Sequence, residues 1–312
     1  MTNKELLELL QEDFRGEHQA IVEYLMHAYE IGESGLACEI EKIARQEMYH
    51  LDWLADEIVE LGGMPGMTPL EPDFTPLTPA EHMLRDVERE EETIKRYRDH
   101  TKVIDDPKIR LVLSRILHDE VVHQEQFEHL AEEAKEHKSV IEQAIKEEGS
   151  PDQRMTDIFN EGIRHEYTVA LQYLFHKFMS RDKERSEELF DIAINEMQHL
   201  GWLSEALAER GGRPDFTKGE MVLTEHDETN IKADIAIERL VTKQYSEQAP
   251  ELQDPEVRAL FERIRDHEVF HTSQFNNMLK EIEKEENAEK MAAEAVKKAA
   301  EKPEIPSVGK LK

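Results

Sequence analysis

The sequence predicts an all-α chain: two four-helix bundles in tandem, followed by a C-terminal helical extension and tail. Three observations predict it. The composition favours helix, with only 13 Gly and 12 Pro in 312 residues and with Glu, Lys, Leu, Ala and Arg dominating. The motif Glu-x-x-His occurs four times, as Glu47/His50, Glu120/His123, Glu196/His199 and Glu268/His271, each midway along a predicted helix. The second half also repeats the first in register. Glu17/Glu166, Glu47/Glu196 and His50/His199 are each 149 residues apart, and Glu90/Glu238, Glu120/Glu268 and His123/His271 are each 148 apart.

The first helix spans about residues 3–30, opened by a Thr2/Glu5 capping box and stopped by Gly32 and Gly35. The second covers about 36–61 and ends at Gly62-Gly63. A Pro-rich stretch from Met64 to Pro79 follows. It is long for a bundle connection and suits a crossover from one end of the bundle to the other. Thr78-Pro79-Ala80-Glu81 opens the third helix with cap, proline and N3 glutamate, and Asp106-Pro107 opens the fourth, to about 136. Gly149-Ser150-Pro151 marks a boundary, with Ser150 as the cap, giving a first domain at 1–148 and a second at 149–283. The order then repeats over about 151–180, 183–210 and 227–247, with a last helix from Asp254-Pro255. Pro214-Asp215-Phe216 echoes Pro72-Asp73-Phe74. Residues 284–312 change character: Glu289 to Lys302 is an Ala/Lys/Glu helix with little apolar face, ended by Pro303.

The formal net charge of −31 argues against nucleic acid and anionic membranes as partners and suits a protein that attracts cations. A solvated helical surface rich in Glu accounts for much of that charge on its own. Cys38 is the only cysteine, which excludes an internal disulfide, a four-cysteine zinc site and a rubredoxin-type iron centre. Met1-Thr2-Asn3-Lys4-Glu5 has no signal-peptide core and no apolar run approaches a membrane span, so the expected location is the cytoplasm.

On a helix, residues three apart share a face, so each Glu-x-x-His aims a carboxylate and an imidazole at one point. Each pair has a lone partner: Glu17 and Glu90 in the first half, Glu166 and Glu238 in the second. Those four share a pattern ending in tyrosine: Glu17, Ala20, Ile21, Tyr24; Glu90, Thr93, Ile94, Tyr97; Glu166, Val169, Ala170, Tyr173; and Glu238, Val241, Thr242, Tyr245. With every motif near a helix midpoint, four carboxylates and two imidazoles meet at one height in each predicted bundle. Unpaired charges there are costly, and two divalent cations balance four carboxylates. One imidazole per metal among carboxylates suits iron or manganese better than zinc or copper, and magnesium or calcium rarely recruits His. Tyr24, Tyr97, Tyr173 and Tyr245 lie two turns from their Glu, placed to hydrogen-bond a ligand carboxylate across the bundle or to pack as plain core tyrosines. Trp53 and Trp202 read as core packing.

Nearly all of residues 3–280 resembles the ferritin-like superfamily, bacterioferritin and the rubrerythrin bundle above all, on the order Glu, Glu-x-x-His, Glu, Glu-x-x-His read twice. The resemblance implies one di-iron site of Glu17, Glu47, His50, Glu90, Glu120 and His123, and another of Glu166, Glu196, His199, Glu238, Glu268 and His271. The glutamates of the Glu-x-x-His pairs would bridge the metals and the lone glutamates would bind terminally. It further implies oxidation of Fe(II) by O2 or H2O2 and a fused pseudo-dimer within one chain. Rubrerythrins carry an extra carboxylate where this chain has Thr93 and Val241, and an iron–sulfur module whose cysteines it lacks. Met48 and Met197 stand where bacterioferritin has a haem-ligating methionine; one haem between them and simple packing are both open readings. The tail from Ile305 to Lys312 resembles the C-terminal peptides that dock ferritin-like proteins inside encapsulin shells, through an apolar-Gly-x-Leu-basic pattern. Three functions follow as expectations. The first is a ferroxidase-type di-iron oxidase in iron handling and oxidative-stress defence. The second is a rubrerythrin-like peroxidase fed by an external reductase, and the third a non-catalytic iron-binding or delivery protein.

Overall fold

Helix starts are set by side chains that satisfy the first orphan N–H groups. The computed structural model describes residues 1–300, with side chains through residue 297, so the tail from Ile305 to Lys312 lies outside the described residues. Helices α1 (Asn3–Ile31), α2 (Gly35–Glu60), α3 (Pro79–Val103) and α4 (Pro107–Glu133) make the first bundle. A short α5 (Val140–Glu148) leads to the second, built from α6 (Gln153–Met179), α7 (Lys183–Ala208), α8 (Asp227–Gln248) and α9 (Pro255–Ala300). Thr2 and Thr78 form capping boxes with Glu5 and Glu81, and Asp106, Asp152 and Asp182 cap α4, α6 and α7. No strand occurs among the described residues.

Three details differ from the sequence reading. Asp152, not Ser150, caps α6, through Met155 N–H at 2.8 Å, which leaves Pro151 outside the helix. Helix α5 forms where the sequence pattern predicts no element. It is nine residues long and rests on tertiary contact, with Val140 against Gly32 and Ile145 against Gly211. The segment after residue 284 is a continuation of α9, which runs unbroken for 46 residues.

In each bundle two helical hairpins, α1–α2 with α3–α4 and α6–α7 with α8–α9, are joined by a long crossover. Gly62 and Gly211, at φ of 81° and 76°, turn the chain out of α2 and α7 into those crossovers. A crossover has few backbone partners of its own, so the first helix of each bundle supplies them. Gln11 Nε2 donates to the Met64 carbonyl at 2.7 Å, Arg15 Nε to that of Thr68 at 2.9 Å, and Glu23 accepts from Asp73 N–H at 2.8 Å. In the second bundle Asn160, Thr168 and Gln172 do the same for Arg213, Asp215, Gly219 and Val222.

The bundles face each other through α1 and α2 on one side and α6 and α7 on the other. Their apolar interiors join, so that Leu10, Phe14, Ile40, Leu54 and Phe127 belong to one packed cluster with Phe159, Tyr167, Leu171 and Leu203. Residues in equivalent positions meet at this boundary. His18 and Tyr167, 149 apart, share a hydrogen bond of 2.8 Å, and the echoed Phe74 and Phe216 pack with ring centres 6.0 Å apart. Polar pairs cross as well, Lys177 with Asp52 and Arg213 with Glu30.

Candidate metal centre

The helical repeat brings the six chosen residues of each half to one point inside its bundle. None of the twelve residues is more than 3% exposed, so water does not solvate their charges. In the first bundle two sets of ligand atoms form, each within 4.8 Å of one another: Glu17, Glu47, His50, Glu120 and Glu47, Glu90, Glu120, His123. The second bundle repeats them as Glu166, Glu196, His199, Glu268 and Glu196, Glu238, Glu268, His271. Within each bundle the two sets share both glutamates of the Glu-x-x-His pairs, an arrangement for two adjacent cations with shared carboxylates. The imidazoles face each other across the centre, with ring centres 5.7 Å apart for His50/His123 and 5.9 Å for His199/His271. All four point Nδ1 inward. His50 Nδ1 is 2.7 Å from Glu47 and 2.9 Å from Glu120, and His199 Nδ1 is 2.9 Å from Glu196 and 3.0 Å from Glu268.

The tyrosines fix the lone glutamates from the opposite helix. Tyr24 donates to Glu90 Oε1 and Tyr173 to Glu238 Oε1, both at 2.6 Å, and Tyr97 and Tyr245 donate to Glu17 Oε1 and Glu166 Oε1. The other oxygen of Glu238 has no hydrogen-bond partner, and those of Glu17 and Glu166 lie 3.4 Å from His50 and His199 Nδ1. Glu47 Oε1, Glu120 Oε1, Glu196 Oε1 and Glu268 Oε1 meet only the inward Nδ1 atoms of His123, His50, His271 and His199, at 2.7, 2.9, 2.8 and 3.0 Å. Buried polar atoms are rarely left this way. Carboxylate oxygens and imidazole nitrogens that meet only one another at one buried point are the donor set that a pair of divalent cations satisfies, and the residues present fit such a pair.

Burial and mutual charge move several of these groups away from their ordinary titration ranges. Burial, with the nearby Glu47 adding to it, pushes Glu17 up to about 7 and Glu120 to about 8. Burial also holds Glu90 and Glu238 well above the carboxylate range. Glu47 goes the other way, because His123 and His50 outweigh its burial. The carboxylates in turn overcome burial at the imidazoles, raising His50 well above its usual value, His199 to about 12 and His271 to about 9.

Several neighbours of the site escaped the sequence reading. Asp13 accepts from His100 and Arg96, Asp86 pairs with His27, and Asp234 pairs with His176, all buried one turn beyond the Glu–Tyr contacts. Their signal was present as Asp four residues before the lone Glu and His three after the Tyr. Trp53 and Trp202 pack against the core as half-buried side chains and also lie 5.7 Å from His50 and His199, ring centre to ring centre. Met48 and Met197 line one apolar cavity between the bundles, with Ile21, Leu171, Phe178 and Phe190 around it. The cavity volume is about 50 Å³.

Among solved structures, the chain is similar to Mycobacterium tuberculosis bacterioferritin BfrA, at 22% identity over 43% of this chain and 89% of that one, with a TM-score of 0.41. It is also similar to the manganese catalase KatB from Anabaena, at 21% identity over 43% and 74% of the two chains, with a TM-score of 0.37. No curated protein matches the chain. The Ferritin family model, a ferritin-like domain, matches residues 7–136 and again 156–288, and the chain therefore belongs to the ferritin-like family, with its domain present twice in tandem.

Proposed function

We propose that the protein is a non-haem di-iron oxidoreductase of the ferroxidase type, with two metal centres per chain that oxidise Fe(II) with O2 or H2O2. The observation that carries this reading is the sharing of Glu47 and Glu120, and of Glu196 and Glu268, between paired ligand sets in a buried core. Two divalent cations offset four carboxylates, and one imidazole per metal among oxygen donors suits iron, with manganese as the nearest competitor. A bound iron pair supplies two electrons, enough to take O2 to H2O2 or H2O2 to water with two protons consumed. The residues do the rest. Tyr24, Tyr97, Tyr173 and Tyr245 each hold one oxygen of a lone glutamate, so that Glu17, Glu166 and Glu238 turn the other inward. The burial of all twelve ligand residues keeps bulk water from the centre.

Stopped-flow mixing of the Fe(II)-loaded full chain with O2 or with H2O2 tests the reading. Repeated turnover above the rate in buffer supports it, and the preferred oxidant separates an oxidase from a peroxidase fed by an external reductase. Stoichiometric binding with no oxidation makes the protein an iron carrier instead. Metal analysis of protein from its native host decides between iron and manganese. The proposal extends to a partner. The tail from Ile305 to Lys312 docks the protein inside an encapsulin shell, so deleting residues 303–312 abolishes co-purification with the shell, and unchanged co-purification rejects the docking role.

A further inference from the structure

The two centres share their inward ligands but differ in what stands behind the imidazoles. At the first, the outer nitrogen of His50, Nε2, faces the Asp119 carboxylate at 3.6 Å, an electrostatic contact beyond hydrogen-bond distance, and that of His123 lies 2.9 Å from Gln46 Oε1. At the second, the residue in the register of Asp119 is His267, whose Nδ1 is 2.9 Å from His199 Nε2. Asn195 stands in the register of Gln46, one methylene shorter. It donates to the Asp191 carbonyl at 2.7 Å instead of reaching His271. The surrounding charge shifts with the substitution. Arg115 pairs with Asp119 at 3.0 Å, whereas its counterpart Arg263 has no such carboxylate and lies over the Trp202 ring at 4.1 Å.

A metal-bound imidazole is a better donor when its other N–H meets an acceptor, and a charged acceptor does more than a neutral one. The first centre has a carboxylate and an amide oxygen in those places. The second has the His267 imidazole behind His199 and no carboxylate behind either histidine. We propose that the two centres are not duplicate copies: the first retains its metal pair, and the second, weakened by His267 and Asn195, is an exchanging centre that fills last and empties first. This rests on reading both clusters as metal sites. The Gln46 contact has no counterpart at His271, and one such outer contact is worth roughly 10–100-fold in metal affinity.

The test is calorimetric and absorbance titration of the metal-free full chain with Co(II), which reads binding and ligand field without any turnover. The expected result is two phases of two ions each, separated by about 10–100-fold, with Glu47→Gln removing the tighter phase and Glu196→Gln the weaker. His267→Asp strengthens the weaker phase toward the tighter one, and Asn195→Gln does so in part. Asp119→His weakens the tighter phase. A single phase of four equal ions in the unaltered chain overturns the proposal, as does a weaker phase that neither His267→Asp nor Asn195→Gln moves. Absence of Co(II) binding at both clusters overturns the metal reading itself, and the division of labour with it.

Discussion

A carboxylate in the middle of a helical bundle keeps its charge only if something positive lies beside it. Here protons stand in for cations. With Glu17 pushed up to about 7 and Glu120 to about 8, both hold protons at pH 6 and shed them by pH 9. A metal must displace those protons to bind. Metal affinity therefore falls as pH drops from 9 to 6, and calorimetry in buffers of different ionisation enthalpy records proton release near pH 7. Equal affinity at both ends of that range contradicts the assignment. Tyr97→Phe removes the hydroxyl that holds Glu17 and leaves a buried carboxylate oxygen without its partner. The expected cost is about 1–3 kcal/mol in stability and about 10–100-fold in metal affinity at the first centre, read by denaturation and Co(II) titration. The inward residues were legible because helical spacing alone aligns Glu with the His three residues on. The residues behind them were not, since the contact of His267 with His199 depends on where two separate helices lie.

Helix ends were legible wherever a cap and a proline stand together, as at Thr78-Pro79 and Asp106-Pro107. The start of α6 was misread by two residues because Ser150 and Asp152 are both good caps and flank the same proline. Asp152→Ala is expected to lower stability by about 1 kcal/mol, while Ser150→Ala leaves the melting temperature unchanged. Gly162 shows how an element serves the site. A Cβ there would lie 3.0 Å from Leu203 Cδ1 and 3.2 Å from the Tyr245 hydroxyl, the group that donates to Glu166. Gly162→Ala therefore loosens the second centre more than the first, visible as loss in the phase of Co(II) binding that Glu196→Gln also removes. Helix α5 could not be read from periodicity, because its nine residues are held by neighbours in both bundles.

At the scale of the molecule, the repeat of 148 or 149 residues revealed two bundles, and the structure joins them through one apolar interior. That joint has its own titrating group. Burial and the nearby Lys218 hold His18 down at about 3, while an unfolded chain takes up the proton near 6.5. Its contribution to stability is present above about pH 6.5 and is lost as pH falls toward 3. Between pH 7 and 5 the unaltered chain should lose about 2 kcal/mol more than His18→Gln, measured by chemical denaturation. Equal losses in the two proteins would show that His18 is not held neutral. The ligand clusters, by contrast, lie on opposite sides of the joint, so Glu47→Gln should empty the first and leave the second filled. The most direct measurement of the whole account is anomalous diffraction at the iron edge from crystals grown with ferrous salt without oxygen. Two peaks between Glu47 and Glu120 and two between Glu196 and Glu268 are the predicted result. Clean maps with no anomalous peak between those glutamates would contradict it.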